Sequence, residues 1–212
     1  MFIDESGAKT NMTRLRGRAL RGQRVHARCP YGHWRTTTMI SSIRVDGSTA
    51  CMAIDGATDT AVFEAFVRQV LCPSLRPGDI VIMDNLLPHK GAGVLDLIRH
   101  AGADVRFLPA YSPDLNPIEN MWSKVKTHLR SAEARTQEAL IGAIAAALGR
   151  VTPQDSINWL ASCGYRIIQY TLIGDRTQAV AVEAQIPGSG FVRQERAVDQ
   201  ADHGVLTLCE VL

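Results

Sequence analysis

Short apolar runs that end in acids alternate with stretches of helical periodicity along most of the chain. Residues 1 to 5, MFIDE, form an apolar entry closed by Asp4 and Glu5 and predict a strand. RTTTMISSIRV (35–45) and STACMAID (48–55) are rich in β-formers and are joined through Asp46-Gly47, which predicts a tight hairpin. In DTAVFEAFVRQVLCPSL (59–75), Val62, Phe63, Phe66, Val67, Val70 and Leu71 recur at helical spacing, with Thr58 or Asp59 as cap and Pro73 near the end. DIVIMD (79–84) is continuously apolar and closed by an acid, the pattern of a strand covered on both faces. A helix from Gly91 to Ala101 and a short strand, DVRFL (104–108), follow. A proline-rich connection then leads into a helix whose stripe is Ile118, Met121, Trp122, Val125 and Leu129. An alanine-rich helix (134–149) and a short one (153–164) complete the pattern. Beyond Tyr170 no period is sustained, and residues 170 to 212 read as an appendage with no structure specified. The order predicts an α/β fold, a sheet flanked by helices, in residues 1 to 169.

Composition narrows the class. With 212 residues and 46% hydrophobic positions the chain can bury a core as one domain. No apolar run is long enough to cross a bilayer, and MFIDES lacks the features of a secretory signal, so a cytoplasmic protein with no membrane partner is expected. Five scattered cysteines without a C-x-x-C fit reduced thiols. His26, Cys29 and His33 cluster, but no fourth zinc ligand is evident, and they read as surface residues.

The net charge of +2 conceals an asymmetry: residues 1 to 169 hold 20 Lys and Arg against 15 Asp and Glu, while residues 170 to 212 hold 3 against 6. RLRGRALRGQRVHAR (14–28) carries Arg14, Arg16, Arg18, Arg21, Arg24 and Arg28 with no acid. A solvated loop can carry such a run. Guanidinium groups on a glycine-containing segment also suit a phosphate backbone, since each can fork onto phosphate oxygens and release counterions.

The candidate chemistry lies in three acids. Asp84 ends the apolar strand where open α/β sheets place their ligands, and MDNLLPHK puts Asn85, His89 and Lys90 in the same loop. An acid there also serves as a turn former or cap. Asp4 ends another short apolar run, and the two carboxylates converge if their strands are neighbours. The third, Glu119, opens the helix after Asn116 and Pro117. Its local reading is a capping box, with Asn116 as cap and Glu119 reaching back to the Asn116 N–H. The alternative is a metal ligand on a rigid frame. Converging carboxylates do not all stay ionised cheaply without a cation, and oxygen-only donors favour Mg²⁺ or Mn²⁺. Two such ions about 4 Å apart would serve an in-line displacement at a phosphodiester. Glu5 and Asp55 are rival ligands, Asp55 reading rather as a turn residue.

The aspartate of FIDES, then MDNLLPHK, then FLPAYSPDLNPIENMWSKVK, with 34 residues between Asp84 and Glu119, resembles the DDE transposases of bacterial insertion sequences related to the mariner group. The resemblance runs from Phe2 to Tyr170, and its most specific block holds Pro109, Tyr111, Ser112, Pro113, Leu115, Asn116, Pro117, Glu119, Trp122 and Lys126. It implies an RNase H-like fold, Mg²⁺-dependent cleavage at transposon ends and strand transfer into target DNA, usually at TA. Carried over by position, Asp4, Asp84 and Glu119 are the catalytic, metal-binding triad, with Asn85 and His89 near it. DNA is the expected partner, contacted by the arginine stretch with Lys124, Lys126 and Arg130, and a homodimer bridging two ends is the usual assembly. The family's amino-terminal helix-turn-helix has no counterpart before Phe2, and the tail after Tyr170 departs from the pattern. The chain reads as one frame of a split element, a fragment or a decayed copy, with a separate helix-turn-helix chain as a further expected partner. A DNA-binding remnant without catalysis, regulating a full-length transposase, is the alternative.

Overall fold

Five strands form one mixed sheet: β1 (Phe2–Lys9), β2 (Thr36–Ile43), β3 (Thr49–Asp55), β4 (Ile80–Met83) and β5 (Asp104–Phe107), ordered β3-β2-β1-β4-β5. The computed structural model describes residues 1–167 with their side chains and, beyond them, the backbone of residues 168–171 and of three further strands. Antiparallel pairing runs from β1 through β2 to β3, and parallel pairing from β1 through β4 to β5. β1 therefore sits where the pairing changes direction. It extends beyond the apolar run that announces it, because Ser6 to Lys9 pair with Thr36 to Met39 through the backbone, and such pairing needs no apolar side chain.

The helices are α1 (Thr60–Phe66), α2 (Ala92–His100), α3 (Pro117–Ala132), α4 (Gln137–Leu148) and α5 (Pro153–Ser162). The long helix expected over 59–75 is α only as far as Phe66, where it continues as a π turn (Val67–Leu71) and a 3₁₀ turn (Cys72–Ser74). Its apolar positions still face the sheet, since Phe63, Phe66, Val67 and Leu71 are all buried.

Two cores lie on opposite faces of the sheet. Phe2, Ile80 and Ile82 join α3, α4 and α5 through Trp122, Val125, Leu140 and Leu160. Met1, Ile3, Val81 and Met83 join α1 and α2 through Phe63, Phe66, Val94 and Ile98. The strand period of two thus sends alternate residues of β1 and β4 to opposite layers, and β4 is covered on both faces as its apolar run predicts.

The β2–β3 hairpin is pinned to α5. Gly47 adopts φ +78° in the turn, and a Cβ there would stand 2.7 Å from the Pro153 nitrogen. Ser156 also donates its hydroxyl to the Arg44 carbonyl at 2.6 Å. Gly47→Ala is expected to cost about 2 kcal/mol or more, through positive-φ strain and this clash, measured as a lower urea midpoint.

Arg166–Thr171, Thr177–Ile186, Gly190–Asp199 and Val205–Leu208 are strands β6 to β9 of a second, antiparallel sheet ordered β6-β7-β8-β9. Residues 170 to 212, whose structure the sequence pattern leaves open, hold β7 to β9. The ladder rests on backbone hydrogen bonds, which a search for apolar periodicity does not detect. Residues 172–176, 187–189, 200–204 and 209–212, with Cys209, lie outside the described residues. Among the described residues no helix is long and apolar enough to cross a membrane, and the four described cysteines are free thiols.

Candidate active site

Parallel register brings the first two acids together. Phe2 pairs with Ile82 across β1 and β4, and Asp4 and Asp84 each follow two residues beyond that pair in the same direction, at the ends of neighbouring strands that open on one cleft. The condition under which these carboxylates converge is met. The connection from β5, whose residues 108 to 113 line the same cleft as Asp84, leads into α3, whose first turn carries Glu119. Asp4, Asp84 and Glu119, with Asn85, Pro109 and Asn116, line one cleft of about 320 Å³.

The capping box at α3 does not form. Asn116 is the N-cap residue, yet it makes no side-chain capping bond. Its N–H is taken by the Pro113 carbonyl at 3.0 Å rather than by Glu119. Pro113 and the 3₁₀ turn it opens satisfy the donor that Glu119 was expected to reach, and Glu119 is left exposed at the cleft. Asn116 is buried, and its Oδ1 has no hydrogen-bond partner. A reciprocal capping box occurs instead at α5, between Thr152 and Asp155, where it was not expected.

Each of the first two acids is held from a different side. Asp4 follows Phe2 onto the α3 face of β1, and its Oδ2 accepts the Trp122 indole N–H at 3.2 Å. Burial, then the Glu119 charge and more weakly those of Glu5 and Asp84, push the Asp4 carboxyl up to about 7, against one backbone hydrogen bond. Glu5 faces the other layer and meets His89 Nε2 at 3.1 Å. The other ring nitrogen of His89, Nδ1, lies 2.5 Å from Asp84 Oδ1, a close ion-pair contact that is not aligned as a hydrogen bond. His89 is fully buried, with its ring 4.2 Å from that of Phe63. Burial alone lowers the His89 pKa, but the Asp84 and Glu5 carboxylates outweigh it and raise it to about 9. Burial works against ionised Asp84 as well. His89 and the Leu86 N–H, 3.1 Å from Oδ1, outweigh that and hold its carboxyl below the ordinary range. Four carboxylates (Asp4, Glu5, Asp84 and Glu119) and one buried imidazole thus act on one another's charge.

Glu5, weighed as a rival ligand, meets His89 as Asp84 does but from the layer opposite Asp4, and Asp55 is exposed at the end of β3. Among the described residues no three His, Cys, Asp or Glu side chains stand close enough to hold a metal ion as placed. This includes His26, Cys29 and His33, all of them exposed.

Arg14, Arg16, Arg18, Arg21, Arg24 and Arg28 are all exposed on the long loop between β1 and β2, and among the described residues none makes an ion pair. The foot of that loop is tied by Arg135, which donates to the carbonyls of Thr10 and Met12. Lys124 departs from its expected place on a free helix face. Its ammonium is held by Asp155 and by the Arg150 carbonyl at 2.8 Å, fastening α3 to α5. A residue five positions from Glu119 turns to another side of the helix, whereas Lys126, seven positions on, returns to the Glu119 side.

A mixed five-stranded sheet between two helical layers, with an acid-lined cleft beside its central strands, defines an RNase H-like domain with an acidic site. The sequence profile of the DDE superfamily endonucleases matches residues 1–141, and the chain belongs to that family. It is similar to the Tcb2 transposase of Caenorhabditis briggsae, 31% identical over 85 residues covering 38% of this chain and 31% of that protein. Its fold is similar to that of the Mos1 strand transfer complex, with a TM-score of 0.60 and 18% identity over 76% of this chain and 51% of the other. The Mos1 mariner paired-end complex with Mn matches with a TM-score of 0.56 and 19% identity over the same shares. The chain thus spans about a third of the Tcb2 transposase and about half of Mos1.

Proposed function

We propose that residues 1–169 are the catalytic domain of a mariner-related transposase. It cleaves DNA phosphodiesters at transposon ends and joins the freed 3′-hydroxyl to target DNA, with Asp4, Asp84 and Glu119 as the metal-binding catalytic residues. The observation that carries this reading is the parallel β1–β4 register, which sets two acids side by side in the cleft that Glu119 also lines. Family membership and the transposon end and Mn named for Mos1 structures support it.

The donor set fits Mg²⁺ or Mn²⁺. The cleft offers carboxylate oxygens and the unpartnered, buried Asn116 carbonyl, and neither zinc-type sulfur nor a free imidazole lines it. Bound there, two such ions would supply Lewis acidity to the attacking and leaving oxygens of the phosphodiester. The protein does the rest by position. β1 and β4 fix the spacing of Asp4 and Asp84, His89 holds Asp84 ionised, and Glu119, exposed on a side chain with three rotatable bonds, can swing toward them. Burial first, and the Glu119 charge second, raise the Asp4 pKa, and a cation bound there would offset both costs.

The arginine loop and Lys126 would hold the phosphate backbone, while a homodimer pairs two ends and a separate helix-turn-helix chain reads them. Replacing Arg18, Arg21 and Arg24 with Ser is expected to flatten the dependence of log K for DNA on log salt by about 0.9 for each phosphate no longer neutralised. Fluorescence anisotropy across a salt series checks this. The function is tested by incubating the chain with Mn²⁺, plasmid and a labelled transposon-end duplex. Metal-dependent nicking with 3′-ends joined to plasmid is expected. Ends released but never joined indicate a plain nuclease, and DNA binding without cleavage indicates a non-catalytic remnant.

A further inference from the structure

Trp122 sits one helical turn beyond Glu119, so the two side chains leave α3 on the same side, separated by a rise of about 4.5 Å. Trp122 is 1% exposed, the largest of the fully buried side chains. Its stripe position marks it as core, and that role is real. Yet its indole N–H is directed to Asp4 Oδ2 at 3.2 Å, across 118 residues of chain. We propose that Trp122 is a positioning residue for the metal site: by donating to Oδ2 it orients the Asp4 carboxylate and ties the first acid to the helix that carries the third.

Three features of the indole suit this role. It is a neutral donor, so it orients a carboxylate without setting a positive charge where a cation must bind, as Lys or Arg would. It has two rotatable bonds, both locked by burial, so the orientation costs little entropy at the moment of binding. It also shares a rigid helix with Glu119, so a tilt of α3 moves Asp4's hydrogen-bond donor and Glu119 together. Asp84 is met from the opposite layer by a different kind of partner, the imidazole of His89. Groups that orient metal ligands in this way typically change metal affinity by about 10–100-fold when removed.

The inference rests on the proposed metal reading, and the test separates the two. Mn²⁺ binding by calorimetry, with unfolding in EDTA as control, is measured for wild type, Asp84→Asn, Trp122→Phe and a chain with benzothienylalanine at position 122. The last keeps the indole's shape and replaces the N–H by sulfur. The proposal expects Mn²⁺ affinity to fall about 10-fold or more in both position-122 variants, with the isostere unfolding as wild type does in EDTA. In ¹⁵N spectra, the one indole signal missing from Trp122→Phe should shift when Mg²⁺ is added to wild type. An isostere that binds Mn²⁺ as tightly as wild type, whatever its melting point, reduces Trp122 to packing and overturns the positioning role alone. Wild-type Mn²⁺ binding untouched by Asp84→Asn overturns the metal reading and the positioning role with it.

Discussion

The Asp84→Asn chain is expected to nick supercoiled plasmid in Mn²⁺ at least about 10³-fold more slowly than wild type, the scale on which removing one member of a catalytic set acts. The size follows from where Asp84 stands. It is the acid held ionised by His89, and it lies beside Asp4 across the β1–β4 register. Asparagine has nearly the same shape but no charge, so a cation loses one of its strongest attractions. The substitution also leaves His89 with only Glu5 as a carboxylate partner, while relieving repulsion on Asp4. These effects on stability oppose each other, and the urea midpoint in EDTA should move far less than the rate. A chain that nicks equally well with Asn at position 84 contradicts the assignment of this cleft as the catalytic centre.

Asp79→Ala carries the largest expected cost to the fold, about 3–5 kcal/mol by urea denaturation. Arg44 and Asp79 form a pair whose side chains are only 11% and 7% exposed, with Arg44 Nη1 donating to Asp79 Oδ1 at 2.8 Å. Asp79 also accepts the Arg76 N–H, and Arg44 donates to the Ser74 carbonyl. Removing the carboxylate leaves a guanidinium buried with two of its three hydrogen bonds gone. The pair joins the hairpin end of β2 to the start of β4, so its loss loosens the strands that set the Asp4–Asp84 spacing. Burial works against the Asp79 carboxylate, yet Arg44 and the Arg76 N–H outweigh it and hold its pKa below the ordinary value. For such a carboxylate, the unfolded chain takes up protons at higher pH than the folded one. Its stabilisation is complete above the unfolded pKa of about 4 and is lost as pH falls through the lower folded value. The gap between wild type and Asp79→Ala should therefore be constant from pH 6 to 8 and narrow below about pH 4. A gap that widens toward acid would contradict the ion-pair account.

Much of the framework is legible in the chain itself. The hairpin at Asp46-Gly47, the doubly covered β4 and the helix stripe through Trp122 follow from local periodicity. The meeting of Asp4 and Asp84 was legible only as a condition, because strand order is decided by packing distant from either acid. What could not be read are contacts that cross layers. His89 joins Glu5 across 84 residues of sequence, and nothing local to either residue marks the pairing. Strand alternation does predict that Asp4 and Glu5 face opposite layers, which was the available signal that only one of them joins Glu119. Trp122 was legible as core, while its second use of an indole N–H depends on where β1 lies beneath α3. The capping box at Asn116 matched its local rule and yet was not made, since the prolines before it set up a 3₁₀ turn that supplied the bond first. Lys124 illustrates the same limit: a lysine on a helix surface reads as free until α5 places Asp155 against it.

The central claim is that Asp4, Asp84 and Glu119 share divalent cations, and anomalous diffraction from crystals soaked in Mn²⁺ tests it most directly. The account predicts manganese density within about 2.0–2.6 Å of carboxylate oxygens from all three residues, with Glu119 turned inward to reach it. Manganese bound elsewhere, or held by Asp4 and Asp84 while Glu119 stays in solvent even with DNA present, would contradict it.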